Sequence, residues 1–381
     1  MKAYVGATII TGTGEVLEKA ALLVNEGKVV DAGERIDLPE EAEVIDMEGK
    51  YITPGLIDVH THIGVFEEGI GPAGHDFNET SAATTPHVRA IDGINPFDQG
   101  FLDARAAGVT TVQIMPGSAN VIGGEMSILK TAGTITDEMI VKSPSGMKAA
   151  FGENPKRVHG GKGKEPMTRM GVAAIFRSQL MKAQDYVKEQ KEGTLKRRDL
   201  GMEQLAKVIK KEIPLRIHAH RSDDIVTILR LIKEFEVEAT IEHCTEGHLI
   251  AEYLSNHPIR VSVGPTMTSR TKVELNDKGW HTLIELEKHG VPFAITTDHP
   301  VVTIEHLITS AHTAVKNGLS EQSALKAIMI RAAEHLGIAD RVGSLEPGKD
   351  ADFVIWSHHP FNVHANVMQT FINGKTVYGE L

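Results

Sequence analysis

Residues 51–62 read Tyr51-Ile-Thr-Pro-Gly-Leu-Ile-Asp-Val-His-Thr-His62. An apolar run following Pro54-Gly55 ends in two histidines, His60 and His62, at positions i and i+2. On a strand, that spacing turns both side chains to one face. If the strand ends in a polar cavity, the pair can hold one divalent cation through two imidazoles. Two surface histidines on an edge strand would give the same pattern, so the decision rests on the rest of the chain.

Three later apolar runs also stop at metal-type donors: Pro214-Leu-Arg-Ile-His218, Ala239-Thr-Ile-Glu-His243 and Pro292-Phe-Ala-Ile-Thr-Thr-Asp298. Together with 56–62, Val109–Met115, Met126–Lys130, Gly146–Phe151 and Ile259–Val263 they make eight expected strands. Helical patterns lie between them. Ile225, Ile228, Leu229 and Ile232 share one face behind a Ser222 cap. Gly108 fits the position just past a helix end. Helices are expected at about 304–317 and 321–336, each followed by glycine. Strand–helix alternation predicts a parallel sheet, and eight such units predict an α/β fold, a (β/α)₈ TIM barrel with its chemistry at the C-terminal strand ends. The candidate ligands sit at those ends. The Gly64–Asp98 segment, rich in Gly, Pro, His and Asn, is too long for a plain connection and reads as a functional loop over the barrel mouth.

The two ends of the chain differ from its middle. Ala3–Ile10, Ala21–Gly27, Ala351–Trp356 and Val367–Ile372 are strand-like, and Asn373-Gly374 is a hairpin turn. A small β-sandwich domain built from both termini, 1–53 and 343–381, is therefore expected around a catalytic barrel spanning 54–342.

Bulk properties narrow the function classes. The chain has 381 residues, a net charge of −11 and one cysteine, Cys244, which excludes an intrachain disulfide and a cysteine-rich zinc finger. No basic cluster is interleaved with aromatics, so nucleic acid is not an expected partner. No apolar run approaches a membrane span, and the first residues carry no signal-peptide core, so a cytoplasmic protein acting on a small-molecule substrate is expected. A carboxylate ending an apolar strand, as Asp298 does, carries a heavy desolvation cost unless a cation lies beside it. Imidazoles joined by a carboxylate suit zinc, with iron, manganese or nickel as alternatives.

In combination, His60-Thr-His62 after Pro-Gly-Leu-Ile-Asp, Ile241-Glu-His243, Thr297-Asp298 and the tail Gly343-Ser-Leu-Glu-Pro-Gly-Lys-Asp-Ala-Asp-Phe-Val resemble the amidohydrolase superfamily over nearly the whole chain. Within it, the chain looks closest to the imidazolonepropionase-related branch, which includes metal-dependent dipeptidases. The resemblance implies a distorted barrel holding one or two divalent metal ions. By it, His60 and His62 would bind the more buried ion and His218 and His243 the more exposed one, with Asp298 facing the reaction. It also makes a homo-oligomer plausible. Binuclear members carry an anionic bridge on the fourth strand, either a carboxylated lysine or a glutamate. Here Lys148 fits the lysine type and Glu153, at the later strand-end position, the glutamate type; Glu153 is the favoured of the two. If neither ligates, the site holds a single ion.

The expected activity is metal-dependent hydrolysis of a C–N bond in an amide, cyclic amide or small dipeptide, with deamination of a heterocyclic base as the alternative. Metal ions lower the pKa of water toward neutrality, and Asp298 is placed to take its proton and return it to the leaving nitrogen. His220 and His299, next to ligands, are candidates for substrate or oxyanion contacts. Gly69–Gly74 imitates a dinucleotide glycine pattern, but Pro72 and the lack of a following helix argue against it. Cys244 is read as a small buried filler.

Overall fold

The computed structural model describes residues 1–379. The N-terminal strands are β1 (Lys2–Ile10), β2 (Val16–Asn25), β3 (Lys28–Gly33), β4 (Glu43–Asp46) and β5 (Tyr51–Pro54). The middle supplies β6 (Leu56–Thr61), β7 (Val109–Ile114), β8 (Ile122–Lys130), β9 (Ile140–Ala150), β10 (Leu215–Ala219), β11 (Ala239–His243), β12 (Arg260–Val263) and β13 (Phe293–Ile295). The C-terminal part adds β14 (Phe353–Trp356), β15 (Val367–Ile372) and β16 (Lys375–Tyr378).

These form two eight-stranded sheets. The first runs β16-β15-β14-β5-β1-β2-β3, with β4 also paired to β1. It joins both ends of the chain, as expected, and has its own core. There Tyr4, Phe353 and Phe371 pack ring against ring at 4.2–5.6 Å. The Asn373-Gly374 turn between β15 and β16 takes positive φ at both residues, the geometry of a two-residue hairpin.

The second sheet follows chain order from β6 to β13. A parallel bridge between Thr61 and His299 joins its two edges. Asp58 of β6 seals the same junction. It accepts from the hydroxyls of Thr296 and Thr297 at 2.5 Å each and from the Thr297 N–H at 3.1 Å. All residues of β6, β7, β8 and β10 are buried, the mark of strands covered on both faces.

The expectation of an all-parallel sheet needs correction, because β8 runs antiparallel to both β7 and β9. The links on either side of β8 contain only short turns and one helical turn at Thr136–Met139, too little chain for a crossover. Two helix expectations also change. Ser222 is the first helical residue of Ser222–Phe235 rather than its cap, and its hydroxyl donates to Glu246. The helix expected over 321–336 is broken into Glu321–Ala327 and Ile330–Leu336. Gly108, with φ +80°, does follow the helix Gln99–Ala106 as expected. Among the described residues no helix is long and apolar enough to cross a membrane.

From β5 in the first sheet to β6 in the second the chain passes through a single residue, Gly55. A β-carbon there would run into the Thr110 side chain, so only glycine lets β5 hand over directly to β6.

Candidate metal centre

The strand ends bring His60, His62, His218, His220, His243 and Asp298 together, and His62, His218, His220 and Asp298 line a cavity of about 860 Å³. Two overlapping groups have donor atoms within 4.8 Å of one another: His218, His220 and His243, and His60, His243 and Asp298. His62 joins the second, its Nε2 3.3 Å from Asp298 Oδ1, beside His60 Nε2 at 3.4 Å. The backbone is bent to achieve this. His243 and Asp298 both adopt left-handed φ, +73° and +55°, at strand ends. For non-glycine residues such conformations cost about 1–3 kcal/mol and persist where the surroundings enforce them.

Hydrogen bonds behind the imidazoles fix which nitrogen faces the site. His62 Nδ1 lies 2.8 Å from the Met115 carbonyl and His243 Nδ1 2.7 Å from that of Gly264. A carbonyl only accepts, so both Nδ1 atoms carry the proton and both Nε2 atoms present lone pairs. His60 Nδ1 faces the Glu242 carboxylate at 3.2 Å. Burial opposes ionisation of Glu242, but His335 and His60 outweigh it and hold its carboxyl well below the usual carboxylate range. His60 thus also turns Nε2 to the site. Burial, reinforced by Lys148, lowers the His60 pKa to about 3; burial and neighbouring imidazoles lower His218 and His220 as well. Asp298, partly exposed to the cavity, is held well below the carboxylate range by His62, His243 and His60 despite its desolvation. Imidazole nitrogens gathered with a carboxylate are a donor set that suits a zinc-type divalent ion. The Nδ1 of His218 points the same way, being buried without a partner.

The two fourth-strand candidates sit differently. Lys148 is fully buried, with Nζ 3.0 Å from His60 Nε2 and 3.1 Å from Met115 Sδ. Burial lowers its ammonium pKa to about 8. Glu153 lies past the strand, at the start of the helix Glu153–Gly160, and belongs to neither group of donors. Gly152 (φ +88°) precedes that helix, and Asn154 and Arg157 within it line the cavity while Glu153 does not. His299 also falls outside the cavity wall: it accepts from the Ile304 N–H through Nδ1, and its Nε2 faces Gly100. His220 does line the cavity, with Nδ1 2.7 Å from Thr245 Oγ1. Burial pushes the Cys244 thiol up to about 12, which leaves it inert at neutral pH.

Two buried carboxylates were not singled out from the sequence. Glu242 accepts from Thr240, Ser262, His335 and His60 in the barrel interior. A charge in the middle of an apolar strand was the signal for it. Glu274 accepts from Lys272 at 2.7 Å and from the Glu153 N–H at 2.9 Å, and lies 3.7 Å from His220. It comes from an irregular loop and carries no sequence signal. From the Gly64–Asp98 segment, Phe66, Glu67, Glu68, His75 and Phe77 line the cavity, while His87, Arg89 and Asn95 do not.

A model of the amidohydrolase family matches residues 51–377. Among solved structures, an amidohydrolase from Thermotoga maritima MSB8 superposes with a TM-score of 0.96 at 44% identity, each chain covered completely. The amidohydrolase tasK of Hapsidospora irregularis is 28% identical over 96% of this chain, which spans only 40% of that protein. An imidazolonepropionase of Mesorhizobium japonicum is 25% identical over 91% of this chain and 88% of its own.

Proposed function

We propose, on the premise that the chain belongs to the amidohydrolase family, that it is a metal-dependent hydrolase of a C–N bond in a small amide, cyclic amide or dipeptide. The observation that carries this is the convergence of the His60 and His62 Nε2 atoms on one oxygen of Asp298, with His243 in the same donor group. In this reading residues 54–342 form the catalytic barrel and the two ends a flanking β-domain.

His60, His62, His218, His243 and Asp298 would hold one or two divalent ions, with His220 beside them. When bound, such an ion acidifies water and polarises a carbonyl. Lys148 rather than Glu153 takes the fourth-strand place. Its free-amine share, raised by a pKa of about 8, could combine with carbon dioxide, releasing a proton, to give an anionic carbamate available as a ligand. Asp298, ionised and at the cavity floor, accepts a proton from the attacking water and passes it to the departing nitrogen. Phe66, Phe77, Leu275 and Val301 supply apolar wall, and the volume suits a small molecule.

The test combines metal analysis with turnover. Protein as purified should contain zinc, iron, manganese or nickel, and chelation should remove activity. Asp298→Asn and His62→Ala should each abolish turnover while retaining the native circular dichroism. A near-native rate in either variant would remove that residue from the mechanism. Ninhydrin-positive product from a dipeptide panel supports hydrolysis; ammonia released only from purines or pyrimidines would replace it with deamination.

A further inference from the structure

A second cluster of metal-type donors lies outside the buried centre. His248, shortly after β11, meets Asp277 and His281 at the start of the helix His281–Lys288, all three offering donor atoms within 4.8 Å of one another. The two rings pack edge to face at 4.2 Å. His248 Nε2 is 2.9 Å from Asp277 Oδ2, and His281 Nε2 is 3.7 Å from Oδ1.

The surroundings of His248 decide its tautomer. The Thr282 hydroxyl donates to the Thr245 carbonyl at 2.9 Å. It can therefore only accept from His248 Nδ1, 3.0 Å away. Nδ1 carries the proton, and a neutral imidazole then points its Nε2 lone pair at a carboxylate oxygen. Two electron-rich atoms that close need a positive centre between them, either a second proton or a metal ion. A proton joins two atoms, whereas here a third donor, His281, completes a triangle with room for an exchangeable fourth ligand. Metal-binding histidines likewise donate their other ring N–H to an outer acceptor that fixes tautomer and ring orientation. Nearby cations do not fill the place. Lys278 Nζ is bound to Thr268 and to the Ser269 carbonyl, and Arg270 to the carbonyls of Asn276 and Lys278. A β-carbon at residue 279 would stand 2.5 Å from His281 Nδ1, so Gly279 leaves the ring its room.

We propose that His248, Asp277 and His281 bind one zinc-type divalent ion, separate from the centre at the cavity floor. The site would pin the 264–280 loop, which contributes Pro265, Thr268, Ser269, Thr271, Lys272 and Leu275 to the cavity wall. The clamp is tied inward as well, since Thr245, which accepts from Thr282, holds His220 Nδ1 through its own hydroxyl.

The experiment titrates Zn²⁺ into the protein as purified, its buried centre already loaded, against a chromophoric chelator. The native chain should take up one equivalent more than an Asp277→Asn/His281→Ala double variant. Thr282→Val should weaken that equivalent by roughly 10–100-fold, and Thr282→Ser should restore it. Zinc should also slow amide exchange across 266–279 in the native chain and not in the double variant. Equal stoichiometry and affinity in native and double-variant protein would overturn the site, and zinc-independent exchange would overturn the clamp. His62→Ala acts on the buried centre only, so loss of that centre, or of catalysis, leaves the peripheral equivalent to be counted on its own.

Discussion

Replacing Asp58 with asparagine tests how the barrel is closed. The carboxylate is completely buried and accepts four hydrogen bonds, two per oxygen. Each oxygen has one partner that can rotate, a threonine hydroxyl, and one that cannot, a backbone N–H. Oδ1 takes the N–H of His60 and Oδ2 that of Thr297. An asparagine must turn its NH₂ toward one of these two. Turning it toward His60 is the milder choice, because Thr296 Oγ1 already lies 3.0 Å from the His60 carbonyl and can redirect its proton there. One backbone N–H is still left unpaired, at about 1–3 kcal/mol. Against this stands the carboxylate's own desolvation. Burial raises the Asp58 pKa from 3.8 to about 6, even after the hydrogen bonds that oppose the shift. The folded state thus binds a proton that the unfolded chain has released. Its contribution is fully present below pH 4 and lost as pH rises through 6, a change of roughly 3 kcal/mol at 1.36 kcal/mol per unit. The variant lacks this titration. Urea unfolding of chelator-treated native and variant protein should show the variant less stable at pH 4.5 by about 1–3 kcal/mol, with the gap closing or reversing by pH 7. Parallel stability curves over that range would refute the reasoning.

Tyr4→Phe should be nearly neutral at pH 7. The Tyr4 hydroxyl is raised to about 12, first by burial and then by Glu43, so its neutral form stabilises the fold below pH 10 and that stability is lost between pH 10 and 12. Roughly 2 kcal/mol of alkaline destabilisation between pH 9 and 11.5 should vanish in the phenylalanine variant, as read by unfolding midpoints at the two pH values. Glu242→Gln removes the charge behind His60 Nδ1 and should weaken metal binding at the buried centre by roughly 10–100-fold, as measured by chelator competition. Unchanged affinity would show that Glu242 does not act through His60. Phe176→Ala, which removes a buried ring packed 5.2 Å from that of Phe151, should lower stability by about 3–5 kcal/mol without changing metal content.

The candidate site was legible because each of these residues ends an apolar run, where a polar side chain needs a reason to be. His60, His62, His218, His243 and Asp298 follow that rule and meet at one place. The direction of β8 was legible too, and missed: the Met115–Val121 link is shorter than any parallel crossover. The place of Glu153 was not, since the helix it opens carries Asn154 and Arg157 to the cavity wall and leaves the glutamate outside both donor groups. His299 was misplaced by the rule that a ligand's neighbour joins its site. The left-handed φ of Asp298 turns the next residue off the cavity wall. Glu274, His248 and Asp277 lie on single 3₁₀ turns or loop, where no periodicity announces which way a side chain points, and His281 only opens its helix.

The pairing of β5 with β14 sets a schedule for the growing polypeptide. Tyr4 and Ile52 are made early, yet their partners Phe353 and Phe371 leave the ribosome only after the last barrel strand. The first strands synthesised are therefore among the last to be completed, and until then β5 offers an open edge to any passing strand. A stop codon placed shortly before Phe353 should leave a chain able to encode every ligand of the buried centre and still prone to aggregate from its opposite end.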